Sequence, residues 1–203
     1  MPRPKKTDTE IQAMREQILD TAYSILQASG PEALTSRAIA ERMGMAHMSL
    51  FTYFKNQAAI RAALREREMS KIRAREDRIE QHAETEEISK VVQELLELYI
   101  DFARENPNLY RLAWVMPEVG FESLEENRQS MQATVGRLAA LIKLGMERGT
   151  FERRDPFLAA GTVLGMVNMP HILFHSGKLV NPAMRDHMVK EVLSAAMAYL
   201  KKL

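Results

Sequence analysis

Cysteine is absent from the sequence, which excludes disulfide cross-links, thiolate nucleophiles and cysteine-based metal sites. Only 9 of the 203 residues are glycine, aromatics make up 6%, and runs of alternating β-branched residues are missing, so nothing reads as a sheet. No glycine-rich phosphate loop follows a strand and no serine stands in a nucleophile elbow. No apolar run reaches about 18 residues, and no basic stretch leading into an apolar one opens the chain. A cytoplasmic protein with no membrane partner is therefore expected. The net charge of +1 excludes a chain that is basic throughout, but DNA binding needs only a local patch facing the phosphates.

What is present is leucine, alanine, methionine and charge. Apolar residues make up 46% of the chain, enough for a sizeable core, and their period near 3.6 predicts an all-α fold of about nine helices. The first helix spans residues 9–28, with Ile11, Met14, Ile18, Ala22, Ile25 and Leu26 on one face, and stops at Gly30 and Pro31. Residues 57–82 are highly charged with sparse apolar positions (Ile60, Leu64, Ile72, Ile79), the pattern of a solvated helix that could connect two units. Residues 88–103 are apolar on most sides and belong at the centre of a second unit. Asn106 and Pro107 open a short helix that ends at Pro117, and residues 118–127 are the least periodic of this half. An amphipathic helix (Met131, Val135, Leu138, Ile142, Met146) then runs to Gly149.

Two further helices start at Asp155–Pro156 and Asn181–Pro182. Pro170 inside the first predicts a local loosening, because it lacks an amide and crowds the carbonyl of Met166. Gly161 and Gly165, four apart, allow another backbone to come close. The last helix carries a wide apolar face: Met188, Val192, Ala195 and Tyr199 beside Val189, Leu193, Ala196 and Leu200. Residues 155–176 and 182–200 are thus the expected homodimer interface.

The densest pattern lies in residues 34–55, LTSRAIAERMGMAHMSLFTYFK. Thr35 or Ser36 can cap a helix whose face carries Ile39, Ala40 and Met43. Gly44 supplies the positive φ of a tight turn, and Leu50 and Phe54 lie one turn apart on a second helix. Folding the two apolar stripes together leaves His47, Met48, Ser49 and Thr52 outward, a surface that fits a DNA major groove.

This stretch resembles the DNA-binding motif of the tetracycline-repressor (TetR) family of bacterial transcriptional regulators. The likeness is carried by LTSRAIA, Gly44 and the S-L-F-x-Y-F-K run from Ser49 to Lys55; beyond the first quarter of the chain only the layout is similar. The resemblance implies a helix-turn-helix domain over residues 1–55, a connecting helix over 56–82, and a ligand-binding and dimerisation domain over 83–203. It implies base contacts from His47, Met48 and Ser49 and phosphate contacts from Ser36, Arg37, Tyr53 and Lys55. Phe51 departs from the pattern, since a tyrosine there would add a phosphate-bonding hydroxyl, and Gln57 stands where a lysine is frequent. A dimeric repressor of a pseudo-palindromic operator, released by a small-molecule effector, is the implied function, with activation, or a TetR-like regulator without a small-molecule ligand, as the alternatives.

Aromatic and methionine side chains cluster in three helices of the second half. Tyr99, Phe102, Tyr110, Trp114, Met116, Phe121, Met166, Asn168, Met169, His171 and Phe174 are the candidates for an apolar or aromatic effector pocket, with Asn168 and His171 as orienting polar groups. The one metal-like spacing, His171 with His175, lacks a third ligand, so no metal and no cofactor are expected. The paired carboxylates Glu86/Glu87 and Glu125/Glu126 stand on charged segments and suggest solvation, so an enzyme is the weaker class. A helical interaction protein without DNA binding would explain the second half but gives no reason for the Ser49–Lys55 run.

Overall fold

The computed structural model describes residues 7–116 and 123–201. Among them all nine expected helices occur, and an isolated bridge pairs Phe151 with Lys201. The elements are α1 (Asp8–Ser29), α2 (Ser36–Arg42), a 3-10 segment (His47–Thr52), α3 (Gln57–His82), α4 (Ile88–Glu105), α5 (Pro107–Tyr110), α6 (Leu124–Glu147), α7 (Pro156–His175) and α8 (Pro182–Leu200). Their starts follow from local chemistry. Thr7 and Glu10 form a reciprocal capping box on α1, and Thr35, Asn56, Ser123, Asp155 and Asn181 each accept an otherwise unpaired first-turn amide. Each such cap stabilises its helix by about 1 kcal/mol.

Three differences from the sequence reading have physical causes. The second helix of the motif is wound as 3-10, with Ser49 N donating to Ala46 O (2.8 Å) and Tyr53 N to Leu50 O (2.9 Å); six residues between two turns are too few for α-helical bonds to dominate. The α6 helix begins at Leu124, ahead of its apolar stripe, because the Ser123 cap and the carboxylates of Glu125 and Glu126 favour a helix N-terminus regardless of periodicity. The α7 helix runs unbroken through Pro170. It is also long and apolar enough to cross a membrane by length and composition, yet it packs against α6 and α8 and buries Asn168 and His171.

One contiguous core joins both halves. Ile18, Leu26, Leu34, Ile39, Leu50, Phe54, Ile60 and Leu64 close the N-terminal helices, and α4 is buried on most sides between α3, α6, α7 and α8. The turn after α6 adds a tight contact, because Phe151 is fully buried with its ring against Gly145 and Glu152 N donates to Leu200 O (2.9 Å). A β-carbon at 145 would overlap that ring. Gly145→Ala is therefore expected to destabilise the protein by about 1–3 kcal/mol through overpacking, outweighing its better helix propensity of up to about 1 kcal/mol. Urea unfolding of the variant measures the difference, and a gain in stability would refute the packing.

Candidate functional site

At the N-terminal end, Gly44 adopts φ +64° and turns the chain between α2 and the 3-10 segment. Met48 is 71% exposed, Arg37 and Lys55 are exposed, and Ser49 is half-buried. His47 is half-buried and held: its Nε2 shares a 2.8 Å hydrogen bond with Ser36 Oγ, and its ring meets Phe51 edge-on at 5.2 Å. Ser36 is buried, and Gln57 bridges it by accepting from Ser36 N (3.2 Å) and Oγ (3.3 Å). Tyr53 is buried too, and its carbonyl accepts from Arg15, whose guanidinium lies 4.1 Å over the Phe54 ring. The structure thus brings Arg37, Met48, Ser49 and Lys55 to the surface, while Ser36, Tyr53 and part of His47 brace the motif from within.

Arg61 is the residue sequence reasoning missed here, and Gln57, noted there only as standing where a lysine is frequent, braces Ser36. Arg61 donates through Nε (3.0 Å) and Nη2 (2.7 Å) to the Leu34 carbonyl and so ties the start of the motif to α3. Its partial burial lowers its pKa by desolvation.

In the second half, Tyr110 is the hub of an aromatic cluster. Its ring lies 6.2 Å from Phe102, 6.3 Å from Trp114 in a stacked arrangement, 5.9 Å from His171 and 5.2 Å from His175. Tyr110 Oη donates to Asn168 Oδ1 (2.9 Å), and Asn168 Nδ2 donates back to Leu164 O (2.9 Å). Burial raises the Tyr110 pKa, keeping the hydroxyl a donor. After Tyr110 the backbone widens into a π turn over Arg111–Val115, closed by Met116 N to Arg111 O (2.8 Å).

His171 is 1% exposed, and among the described residues neither ring nitrogen finds a hydrogen-bond partner. Its pKa falls to about 4, first because burial disfavours the imidazolium and then because His175 is close. Tyr99 and Phe102 are buried, and the Tyr99 hydroxyl lies within electrostatic range of Glu76 with no hydrogen bond of normal length among the described residues. Met116 and Met166 are half-buried, Phe174 sits under the Arg185 guanidinium (4.5 Å), and Met169 is half exposed while its neighbour Asn168 is buried. Phe121 lies outside the described residues. Of the expected pocket residues, Trp114 lines a small cavity of about 30 Å3 with Arg65, Met69 and Met131.

An exposed turn-helix surface on a three-helix head, followed by a long helix into an all-helical body, defines a helix-turn-helix DNA-binding regulator. The chain belongs to the tetR family of bacterial regulatory proteins: the family's N-terminal model matches residues 18–64 and the model for a tetracyclin repressor-like C-terminal domain matches residues 84–192. The tetracycline repressor protein class C of Escherichia coli is 42% identical over 52 residues, 26% of this chain and 24% of that protein, so the match spans only about a quarter of that relative. Solved structures extend the likeness to the whole fold. A TetR-family regulator from Pectobacterium atrosepticum superposes with a TM-score of 0.71 at 16% identity, covering 97% of this chain and 99% of that one. The fatty acid degradation regulator FadR from Bacillus halodurans gives 0.69 at 17% identity, covering 96% and 97%. A TetR-family regulator from Agrobacterium tumefaciens gives 0.72 at 12%, covering 95% and 100%. At these identities the superpositions speak for the fold alone.

Proposed function

We propose that this regulator is a homodimeric repressor that binds a pseudo-palindromic operator in the cytoplasm and is released by a small apolar or aromatic effector. Residues 1–55 form the DNA-binding unit, 56–82 the connecting helix and 83–203 the effector and dimer unit. The observation that carries the reading is the exposed Met48, flanked by exposed Arg37 and Lys55 on a helix-turn-helix whose interior is otherwise closed. Met48 and Ser49 address base edges, His47 joins them once its bond to Ser36 yields, and Arg37 and Lys55 hold phosphates.

The dimer reading rests on α7 and α8, which present exposed Phe157, Leu158, Met169 and Met184 beside Gly161 and Gly165. For the effector, the support is the buried Tyr110–Asn168 pair and the orphaned His171 in an aromatic interior.

Selection of bound duplexes from a random pool, followed by salt titration of the winning sequence, tests the DNA reading. Lys55→Ala should weaken binding to every duplex and lower the salt slope by about 1, because a lost phosphate contact releases one counterion fewer. An unchanged affinity and slope would remove Lys55 from the interface. Absence of any selected sequence would favour a helical interaction protein.

A further inference from the structure

All the sulfur of this chain is in methionine: 14 methionines and no cysteine. A two-electron oxidant therefore meets no thiol, and exposure ranks the thioethers that take it instead. Among the described residues Met48 leads at 71% exposure, ahead of Met184 at 55%, Met169 at 50% and Met131 at 42%. In the homodimer proposed above Met169 and Met184 are covered, which widens that lead. Met43 and Met45, on either side of Gly44, are partly buried against the core. The segment His47–Thr52 is anchored through buried Leu50, so a change at the Met48 sulfur is felt at the surface and not in the packing.

We propose that Met48 is a reversible oxidation site through which a hypohalous acid releases this protein from DNA; this rests on the regulator reading above, in which Met48 addresses base edges. With hypochlorous acid the Met48 sulfur gives up two electrons and gains the oxygen, the O–Cl bond breaks, chlorine leaves as chloride, and one proton is released. Methionine sulfoxide reductases reverse the step: the sulfoxide oxygen leaves as water while two thiols of the reductase system join in a disulfide.

The product is a polar acceptor where an apolar side chain stood. In the free protein the S–O dipole stays hydrated, so the fold is unaffected. Against DNA it faces phosphate oxygens and base acceptors across a desolvated contact, and the apolar contact that a thioether makes with a thymine methyl is lost. Arg37 and Lys55, the exposed donors nearby in sequence, are engaged with phosphates in the same reading. Oxidation therefore penalises the bound state alone. Met43 and Met45 set the upper limit of the response, because oxygen on their sulfurs enters the packing of the DNA-binding unit and unfolds it at higher dose.

Substoichiometric hypochlorous acid is added to the full-length protein, and tandem mass spectrometry places the oxygen within the tryptic fragment 43–55, which holds Met43, Met45 and Met48, and in the remaining methionine fragments. Met48 is expected to carry most of it. Affinity for the duplex selected from the random pool should fall by at least about tenfold, the scale of one lost base contact, with the thermal transition of the protein unmoved. Reductases for the two sulfoxide epimers should restore both the thioether and the affinity. Met48→Leu, read against its own untreated affinity, should lose far less at the same dose; if that variant no longer binds DNA, the reductase arm on the parent decides. First oxidation at another methionine, undiminished affinity once Met48 carries oxygen, an equal loss in Met48→Leu, or a loss that the reductases do not reverse overturns the proposal. Untreated protein that selects no duplex rejects the regulator reading and the proposal with it, whereas untreated protein that binds and keeps its affinity after Met48 is oxidised rejects the proposal alone.

Discussion

Acidification from about pH 6.5 to about pH 4 is expected to remove about 3 kcal/mol of folding stability through His171 alone. An unfolded imidazole takes up its proton near 6.5, whereas the buried His171 does so only at about 4. Between these values the unfolded chain binds more protons than the folded one, so acid favours unfolding. The contribution is fully present above about 6.5 and is lost progressively as pH falls toward the folded value. His175 is shifted in the same direction by its own burial and adds to the loss. Carboxylates also protonate in this range, so the comparison is with His171→Phe, which keeps a ring in the aromatic cluster and removes both orphaned nitrogens. Urea unfolding at about pH 7 and about pH 4.5 should show a much smaller acid loss in the variant. The neutral variant should also match or exceed the parent at about pH 7, because no buried donor or acceptor is left unpaired. An identical acid loss in both proteins would mean that His171 is hydrated or already partnered.

On the homodimer proposed above, Gly165→Arg is expected to leave the protein a monomer and to lower operator affinity by at least about a hundredfold, the avidity that a second linked motif contributes. A β-carbon at Gly161 or Gly165 meets nothing within 4 Å among the described residues outside its own helix backbone, and both positions are exposed in the middle of α7. Glycine there is unfavourable by roughly 0.5–1 kcal/mol relative to alanine, so the isolated chain gains nothing from it. A close-packed partner does, since the backbone can approach where no side chain stands. Phe157, Leu158 at 68% exposure, and Met169 flank the two glycines, and Met184 continues the strip on α8. Arginine at 165 would place a charge in that contact, while the thermal transition of the protomer should survive. Light scattering and gel shift on the same sample decide the matter: a dimer with unaltered DNA affinity would move the interface elsewhere.

Sequence and tertiary structure carry different kinds of information. The helix boundaries at Thr35, Asn56, Asp155 and Asn181, the turn at Gly44 and the burial of Ile39, Leu50 and Phe54 depend on local hydrogen bonding and on a 3.6-residue period. A linear sequence displays both, and the motif in residues 34–55 was legible for that reason. The charged helix α3 was not. Read alone, its sparse apolar residues describe a solvated connector, yet Arg65, Glu68 and Glu76 continue the stripe of Ile72 and Ile79 at helical spacing and are buried with them. That spacing was visible in the chain, as were Arg67 and Lys71, which pair with Glu68 on the same helix; what meets Arg65 and Glu76 was not, since Glu126 and Arg137 lie some sixty residues away and meet α3 only when α6 packs on it.

The same division holds at the proposed sites. Residue type announced that Tyr53 and Ser36 belonged to the motif, but only packing decided that they brace it from inside while Met48 and Lys55 face out. Periodicity grouped Asn168, His171 and Met169 on one helix; the packing of α7 against α4, α6 and the Arg111–Val115 turn sent the first two into the interior and left Met169 exposed. By itself the sequence determined helices, caps and the DNA-binding motif, because these are set by neighbours within a few residues. Which side chains pair, which stay orphaned and where a cleft opens were decided by tertiary structure, because burial and charge compensation are properties of contacts between helices far apart in the chain.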